Sequence, residues 1–161
     1  MNNSKILIFS ISMIMLLQIP STVYGDGLTM ENLPPASVGD RDASLFIKIS
    51  PPILTKDTVG DKFLELRLFD AKTGETIQHT SFLVSVDKEG KLLMRDLFHT
   101  HSGNLIIKIQ SEDLDVNDVV VYGDEEPFQG GWTSVNDKIT VKAPILLDAG
   151  LYHFEIEIFG I

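Results

Sequence analysis

The sequence predicts an all-β fold, an antiparallel β-sandwich of about seven or eight strands, and three observations support this prediction. Apolar residues recur at every second position in short segments, turn-forming residues separate those segments, and no long segment keeps a helical period. Alternation over four to eight residues is typical of strands that bury one face. Short strands that follow one another at spacings of about 8–15 residues favour two packed sheets.

The alternating pattern begins at Ser44 and continues almost to the end of the chain. In the segment 63–69, Leu64, Leu66 and Leu68 share one face, while Glu65 and Arg67 share the other. The predicted strands cover residues 44–50, 63–69, 80–86, 92–98, 103–110, 119–122, 138–141 and 151–159. Glycine, proline and charged residues between them are typical of turns. We therefore predict a sandwich domain over residues 44–161, preceded by a polar arm over residues 26–43.

The first 25 residues have the layout of a secretory signal peptide. Lys5 is followed by the apolar run Ile6–Leu17, and Val23 and Gly25 stand three and one residues before a cleavage site at Asp26. The run is shorter than the roughly 20 apolar residues that span a membrane, and an uncleaved signal anchor is the alternative. We expect an extracytoplasmic protein, secreted or held at the cell surface, with no membrane span in the mature chain.

Charge and cysteine content restrict the partners and the chemistry. The formal net charge is -10, and nucleic acid or anionic lipid would repel such a surface. The chain has no cysteine, which excludes disulfides, thiolate metal sites and cysteine nucleophiles. The sequence also lacks the G-x-S-x-G, H-E-x-x-H and phosphate-binding glycine motifs. We therefore expect a protein without catalytic activity, whose partner is a protein or a component of the cell envelope.

The segment from Asp148 to Phe154 has a recognisable turn-and-strand pattern. Asp148, Gly150, Tyr152 and Phe154 alternate in the order D-x-G-x-Y-x-F, which resembles the tyrosine corner of immunoglobulin-like domains. The resemblance implies that the Tyr152 hydroxyl bonds back to the backbone at the start of strand F. The alternative is a glycine turn followed by a strand with an inward tyrosine. Because strand G follows strand F in such domains, we expect that the domain lacks its last strand or that the sequence is part of a longer one.

Besides carboxylates, the candidate metal ligands of the sequence are its four histidines, His79, His99, His101 and His153. His99 and His101 are two residues apart, so both imidazoles point to the same side of an extended segment. Imidazole nitrogens at this spacing suit Cu²⁺ or Zn²⁺. With His153 on the outward face of a neighbouring strand, they form a candidate metal site of three ligands, His99, His101 and His153. The alternative is that these are solvated histidines and that the protein has no cofactor.

The G-x-Y-H pattern that ends at His153 also resembles a copper-ligand strand in the exported, cupredoxin-like subunit of copper monooxygenases. The resemblance implies copper as the metal. Two positions depart from that pattern: Glu155 stands where the second histidine of the strand is expected, and the predicted mature chain begins with Asp26 instead of a histidine. Copper is therefore the candidate cofactor, but the resemblance does not supply a complete set of ligands for it.

Several longer sequence segments resemble a family of exported proteins of ammonia-oxidising archaea. They are Pro34–Arg41, Leu66–Phe82, Gly130–Trp132 and Gly150–Gly160. The resemblance implies a β-sandwich protein of the cell surface, and longer members carry a C-terminal PEFG-type sorting signal with a membrane helix. The present sequence shows no such tail, so anchoring is not carried over. We predict a secreted or cell-surface structural or interaction module; the alternative is an extracytoplasmic copper-binding protein.

Overall fold

A computed structural model describes residues 30–51, 62–126, 130–134, 136–148 and 150–160. Within those residues the chain forms two β-sheets and a single 3-10 turn at Val116–Asp118. The strands are β1 (Met30–Asn32), β2 (Ala36–Val38), β3 (Arg41–Ser50), β4 (Lys62–Asp70), β5 (Thr80–Lys88), β6 (Lys91–Thr100), β7 (Asn104–Ser111), β8 (Val120–Tyr122), β9 (Asp124–Glu126), β10 (Gly131–Thr133), β11 (Lys138–Ala143) and β12 (Tyr152–Gly160). The all-β sandwich predicted from the alternation is confirmed.

The first sheet has the strand order β1-β3-β4-β7-β11-β8, with β2 also paired to β3. Its centre follows from the leucine alternation of β4. Leu66 lies opposite Ile47 of β3 on one side and opposite Leu105 of β7 on the other. Leu64, Leu66 and Leu68 are all essentially inaccessible to solvent, so one face of this sheet is a continuous apolar layer.

The second sheet has the order β12-β5-β6-β10-β9. Its central hairpin, β5–β6, turns at Glu89-Gly90, where both residues have positive φ. The register shifts near the turn, because Asp87 pairs with Leu92 while Val86 pairs with Met94. This β-bulge inserts one extra residue, Leu93, into β6.

The core lies between the two sheets and is made of side chains from their inner faces. Its largest fully buried members are Phe82, Phe98, Leu64, Leu66, Leu68, Leu105, Ile107, Ile139, Ile145, Val84, Val86 and Val141. Burial of a leucine, isoleucine or phenylalanine side chain contributes about 1.5–3 kcal/mol each. A cysteine-free chain therefore has an apolar core in place of disulfides.

Two strand pairings differ from a purely antiparallel sandwich. β10 runs parallel to β6, and β11 runs parallel to β7. A parallel pair requires a crossover connection, and the segment from β8 to β10 supplies one by leaving the first sheet, joining the second and returning. The eight predicted strands are present, and β1, β2, β9 and β10 add four short ones. β1 and β2 fall inside the predicted polar arm, so the first sheet includes part of it.

Three neighbouring strands in each sheet follow the strand order of an immunoglobulin-like sandwich. β3, β4 and β7 are neighbours as strands A, B and E are, and β12, β5 and β6 are neighbours as F, C and C′ are. The tyrosine corner appears at the start of β12. Tyr152 Oη donates to the backbone carbonyl of Asp148 at 3.2 Å and lies 3.0 Å from its carboxylate.

The predicted signal peptide, residues 1–25, lies outside the described residues. Among the residues that the structure describes, no helix has the length and apolar character needed to cross a membrane.

Candidate metal centre

Three histidines meet at the open end of the β5–β6 hairpin, away from its turn. His79 immediately precedes β5, His99 lies within β6, and His101 immediately follows β6. The backbone holds the two outer histidines opposite each other, because His79 N–H donates to the His101 carbonyl at 3.1 Å. The ladder continues through the Thr80–Thr100 and Ser81–His99 pairs.

All three side chains lie on the same face because of the strand period and the register. His99 and His101 are two residues apart on one strand, and His79 lies opposite His101 on the other, so alternation places them together. The register depends on the bulge at Leu93. Without that extra residue, His79 would lie opposite Thr100, and a one-residue slip of this kind reverses the faces.

The imidazoles are close enough to share an ion. One ligand nitrogen from each of His79, His99 and His101 lies within 4.8 Å of the other two. The Nδ1 atoms of His79 and His101 are 3.4 Å apart. The His99 ring centroid lies 4.9 Å from that of His101 and 6.3 Å from that of His79. No other group of this kind is found among the described residues.

These distances agree with the requirements of a tetrahedral metal. Two imidazole nitrogens that each lie about 2.0–2.1 Å from a metal, at a tetrahedral angle, are separated by about 3.3 Å. The 3.4 Å between His79 and His101 is close to this tetrahedral separation, whereas the 90° angles of a tetragonal Cu²⁺ site would bring the two nitrogens to about 2.9 Å.

His99 is the buried member of the cluster, whereas His79 and His101 are exposed. Only 7% of His99 is accessible to solvent, and Ser81 Oγ lies 3.0 Å from its Nδ1. Burial lowers the pKa of the His99 imidazole below its ordinary value, and the neighbouring His101 lowers that pKa further, against an opposing effect of Glu126. The neutral form, which is the form that binds metal, is therefore favoured.

The backbone around the cluster is held in an unusual conformation. His79 has a φ of 56°, a left-handed conformation that is uncommon for a residue other than glycine. Thr80 Oγ1 donates to the Ile77 carbonyl at 2.9 Å, which holds the turn before β5. Gly103 packs against the same turn, since a Cβ at this position would lie 1.9 Å from the Ile77 carbonyl oxygen.

His153, the third ligand predicted from the sequence, lies elsewhere in the same sheet. It is on β12 opposite Asp87, and its Nδ1 is 2.8 Å from the Asp87 carboxylate. Since Ser81 and Asp87 are six residues apart along β5, His153 is about 20 Å from the cluster. The structure thus brings His99 and His101 together with His79, a candidate ligand that the predicted site did not include, and it does not bring His153 to them.

Comparisons of the chain with protein-family models, with curated proteins and with solved structures give no match.

Proposed function

We propose that this chain is an extracytoplasmic, non-catalytic β-sandwich that binds one Cu²⁺ ion through His79, His99 and His101. The observation that carries the proposal is that one ligand nitrogen of each histidine lies within 4.8 Å of a ligand nitrogen of the other two. A placement outside the cytoplasm is supported by the signal-peptide layout of residues 1–25.

Copper is the preferred ion because of the donor set, and not because of the spacing, since the 3.4 Å between His79 and His101 is closer to a tetrahedral than to a tetragonal site. Imidazole ligands suit Cu, Zn, Ni and Fe, and Cu²⁺ heads the affinity order among divalent first-row metals. A chain without cysteine offers no thiolate to favour another metal. We expect the Nε2 atom of His99 to face the ion, because Ser81 occupies its Nδ1 side, an arrangement that fixes ring orientation in many metal sites.

A calorimetric titration of the protein, purified after the cell has processed it, tests the proposal. We expect one Cu²⁺ per chain at pH 7, with Zn²⁺ bound more weakly. His101→Ala should weaken Cu²⁺ binding at least about 100-fold, since loss of groups that only orient a ligand costs 10–100-fold. His153→Ala is the matched control and should leave the affinity unchanged. Equal losses in the two variants, or no binding by the wild type, would reject the copper site.

A second candidate function is a structural or interaction module at the cell surface. The observation that favours it is the long outer strand β12, with the large exposed apolar residues Leu151 just before it and Phe159 near its end. The resemblance of residues 66–82 to exported surface proteins supports this placement. Chemical cross-linking on intact cells tests it, because an interaction module should give one dominant cross-linked protein and an unattached protein should give none.

A further inference from the structure

The edge strands of the two sheets are unequal in length. Among the described strands, β1, β2, β8 and β9 lie at sheet edges and each has three residues, whereas β12 lies at an edge and has nine. Short edge strands are one of the ways in which proteins prevent unwanted strand pairing. Three of the four edges of the two described sheets are protected in that way, because β1 and β2 lie along the same edge beside β3, and the β12 edge is not.

β12 has only part of the usual protection, namely its two glutamates and an irregular pairing with β5 between Ile158 and Gly160. The strand contains no proline and no lysine, and its inward positions, Tyr152, Phe154, Ile156 and Ile158, carry no charge. These four side chains pack against the core but remain only partly buried. Their remaining exposure has a simple cause, because β12 is covered by β5 on one side and has no described strand on the other. An additional strand there would complete their burial.

Charge indicates which strand fits this edge. The outward positions next to the edge include Glu155 and Glu157, both exposed. The Glu157 carboxylate already lies 3.4 Å from the Arg95 guanidinium, so Glu155 carries most of the charge argument, and the chain as a whole has a net charge of -10. A second copy of β12 paired antiparallel over its full length would place Glu155 of each copy opposite Glu157 of the other. Like charges directly opposite one another destabilise a strand pair, and opposite charges stabilise it. The edge therefore favours a basic strand over a copy of itself.

We propose that the outer edge of β12 binds a strand of another protein that alternates apolar and basic residues. The apolar side chains cover Phe154, Ile156 and Ile158, and the basic ones lie beside Glu155 and Glu157. Backbone hydrogen bonds supply the affinity, and the alternation supplies the specificity, as in other cases of strand addition. This inference rests on the interaction function proposed above and is independent of the copper site.

The test uses three nine-residue peptides as probes. The first alternates valine with lysine, the second alternates valine with glutamate, and the third has the composition of the first with its lysines in one block. We expect the first to bind at least about fivefold more tightly than either of the others. Hydrogen exchange should show new protection of β12 amides in its complex. Equal binding of the block peptide would show simple charge attraction and would overturn the proposal.

A charge-reversal variant tests the location. Glu155→Lys should weaken the valine–lysine peptide at least about fivefold. The control is Glu125→Lys on β9, which makes the same charge change at the opposite edge of the same sheet and should have no comparable effect. Because Glu155 is exposed, circular dichroism should show both variants folded. Equal losses in the two variants would overturn the proposal.

Two further outcomes separate this proposal from the general interaction function. A dimer of the chain in light scattering, removed by Glu155→Pro, would show that a second copy occupies the edge and would overturn the proposal. Cross-linking on intact cells that captures a partner through another face would retain the interaction function but would overturn β12 as its docking edge. Cross-links from Glu155 or Glu157 to lysines of the partner would support it.

Discussion

His79 and His101 face each other across the open end of the β5–β6 hairpin, with their Nδ1 atoms 3.4 Å apart. Two imidazole nitrogens bound to one metal ion are separated by about 2.9 Å in a tetragonal site and about 3.3 Å in a tetrahedral one. The relationship depends on the bulge at Leu93, which sets the register of the hairpin. The proposed copper site is therefore a consequence of strand register, and features that hold this end of the hairpin should affect metal binding.

Gly103→Ala should both destabilise the fold and weaken Cu²⁺ binding. Gly103 has a φ of 81°, and a Cβ would collide with the Ile77 carbonyl oxygen in the turn that leads to His79. Gly90→Ala is the control, because Gly90 has a φ of 79° and nothing within 4 Å of an added Cβ. Backbone strain alone costs about 1–3 kcal/mol, so urea denaturation should show a larger loss at Gly103. Only Gly103→Ala should reduce copper affinity; equal affinities in the two variants would show that the turn does not position His79.

Tyr152→Phe should cost only about 0.5–1 kcal/mol of unfolding free energy, since its hydroxyl bond to Asp148 is exposed and water can replace it. The ring remains in this variant and keeps its contact with Lys88, whose Nζ lies 5.0 Å from the ring centroid. Tyr152→Ala should cost about 1–2 kcal/mol, because it also removes apolar burial. Urea denaturation of both variants is the measurement, and two neutral changes would contradict the role of Tyr152 as a corner.

Asp96→Asn should stabilise the protein more at pH 7 than at pH 4. Asp96 lies opposite Val84 on the inward face, and burial raises the pKa of its carboxyl, against a smaller opposing effect of the Trp132 side chain. A carboxyl with a raised folded-state pKa contributes stability at low pH, and that contribution is lost as pH rises through the raised value. Asparagine keeps an acceptor for Trp132 and does not ionise. Thermal unfolding at the two pH values measures the difference, and a gain independent of pH would contradict this assignment.

The N-terminal segment gives a prediction about processing. Cleavage after Gly25 should give a mature chain that begins at Asp26, since Val23 and Gly25 are small residues at the positions a signal peptidase requires. N-terminal sequencing of the protein recovered from the cell surface or medium is the measurement. A chain that still begins with Met1 would indicate a signal anchor instead.

The sequence predicted those features that depend on local alternation. Leu64, Leu66 and Leu68 face the core as their spacing indicates, and the two-residue spacing of His99 and His101 places both rings on one face. His79 could be found only by folding the hairpin about Glu89-Gly90, and a regular two-residue turn would pair it with Thr100. The bulge corrects that register, and no local pattern in the sequence indicates a bulge.

Long-range pairing was the other feature that the sequence did not contain. His153 was expected near the H-x-H pair because both lie in strands of one sheet. The position of His153 depends on the register of β12 against β5, and the observed register places His153 opposite Asp87. The parallel pairs β6–β10 and β7–β11 arise from the same kind of long-range choice. Alternation determines which face a residue occupies, but it does not determine the residue's neighbour on the next strand.

The most direct test of the copper site is nuclear magnetic resonance of the four histidine rings during addition of Cu²⁺. A bound Cu²⁺ ion broadens the signals of nearby protons and leaves distant ones sharp. We expect the ring signals of His79, His99 and His101 to disappear together by one equivalent, while those of His153, about 20 Å away, remain. Loss of the His153 signals first, or equal loss at all four histidines, would contradict a site at the open end of the β5–β6 hairpin.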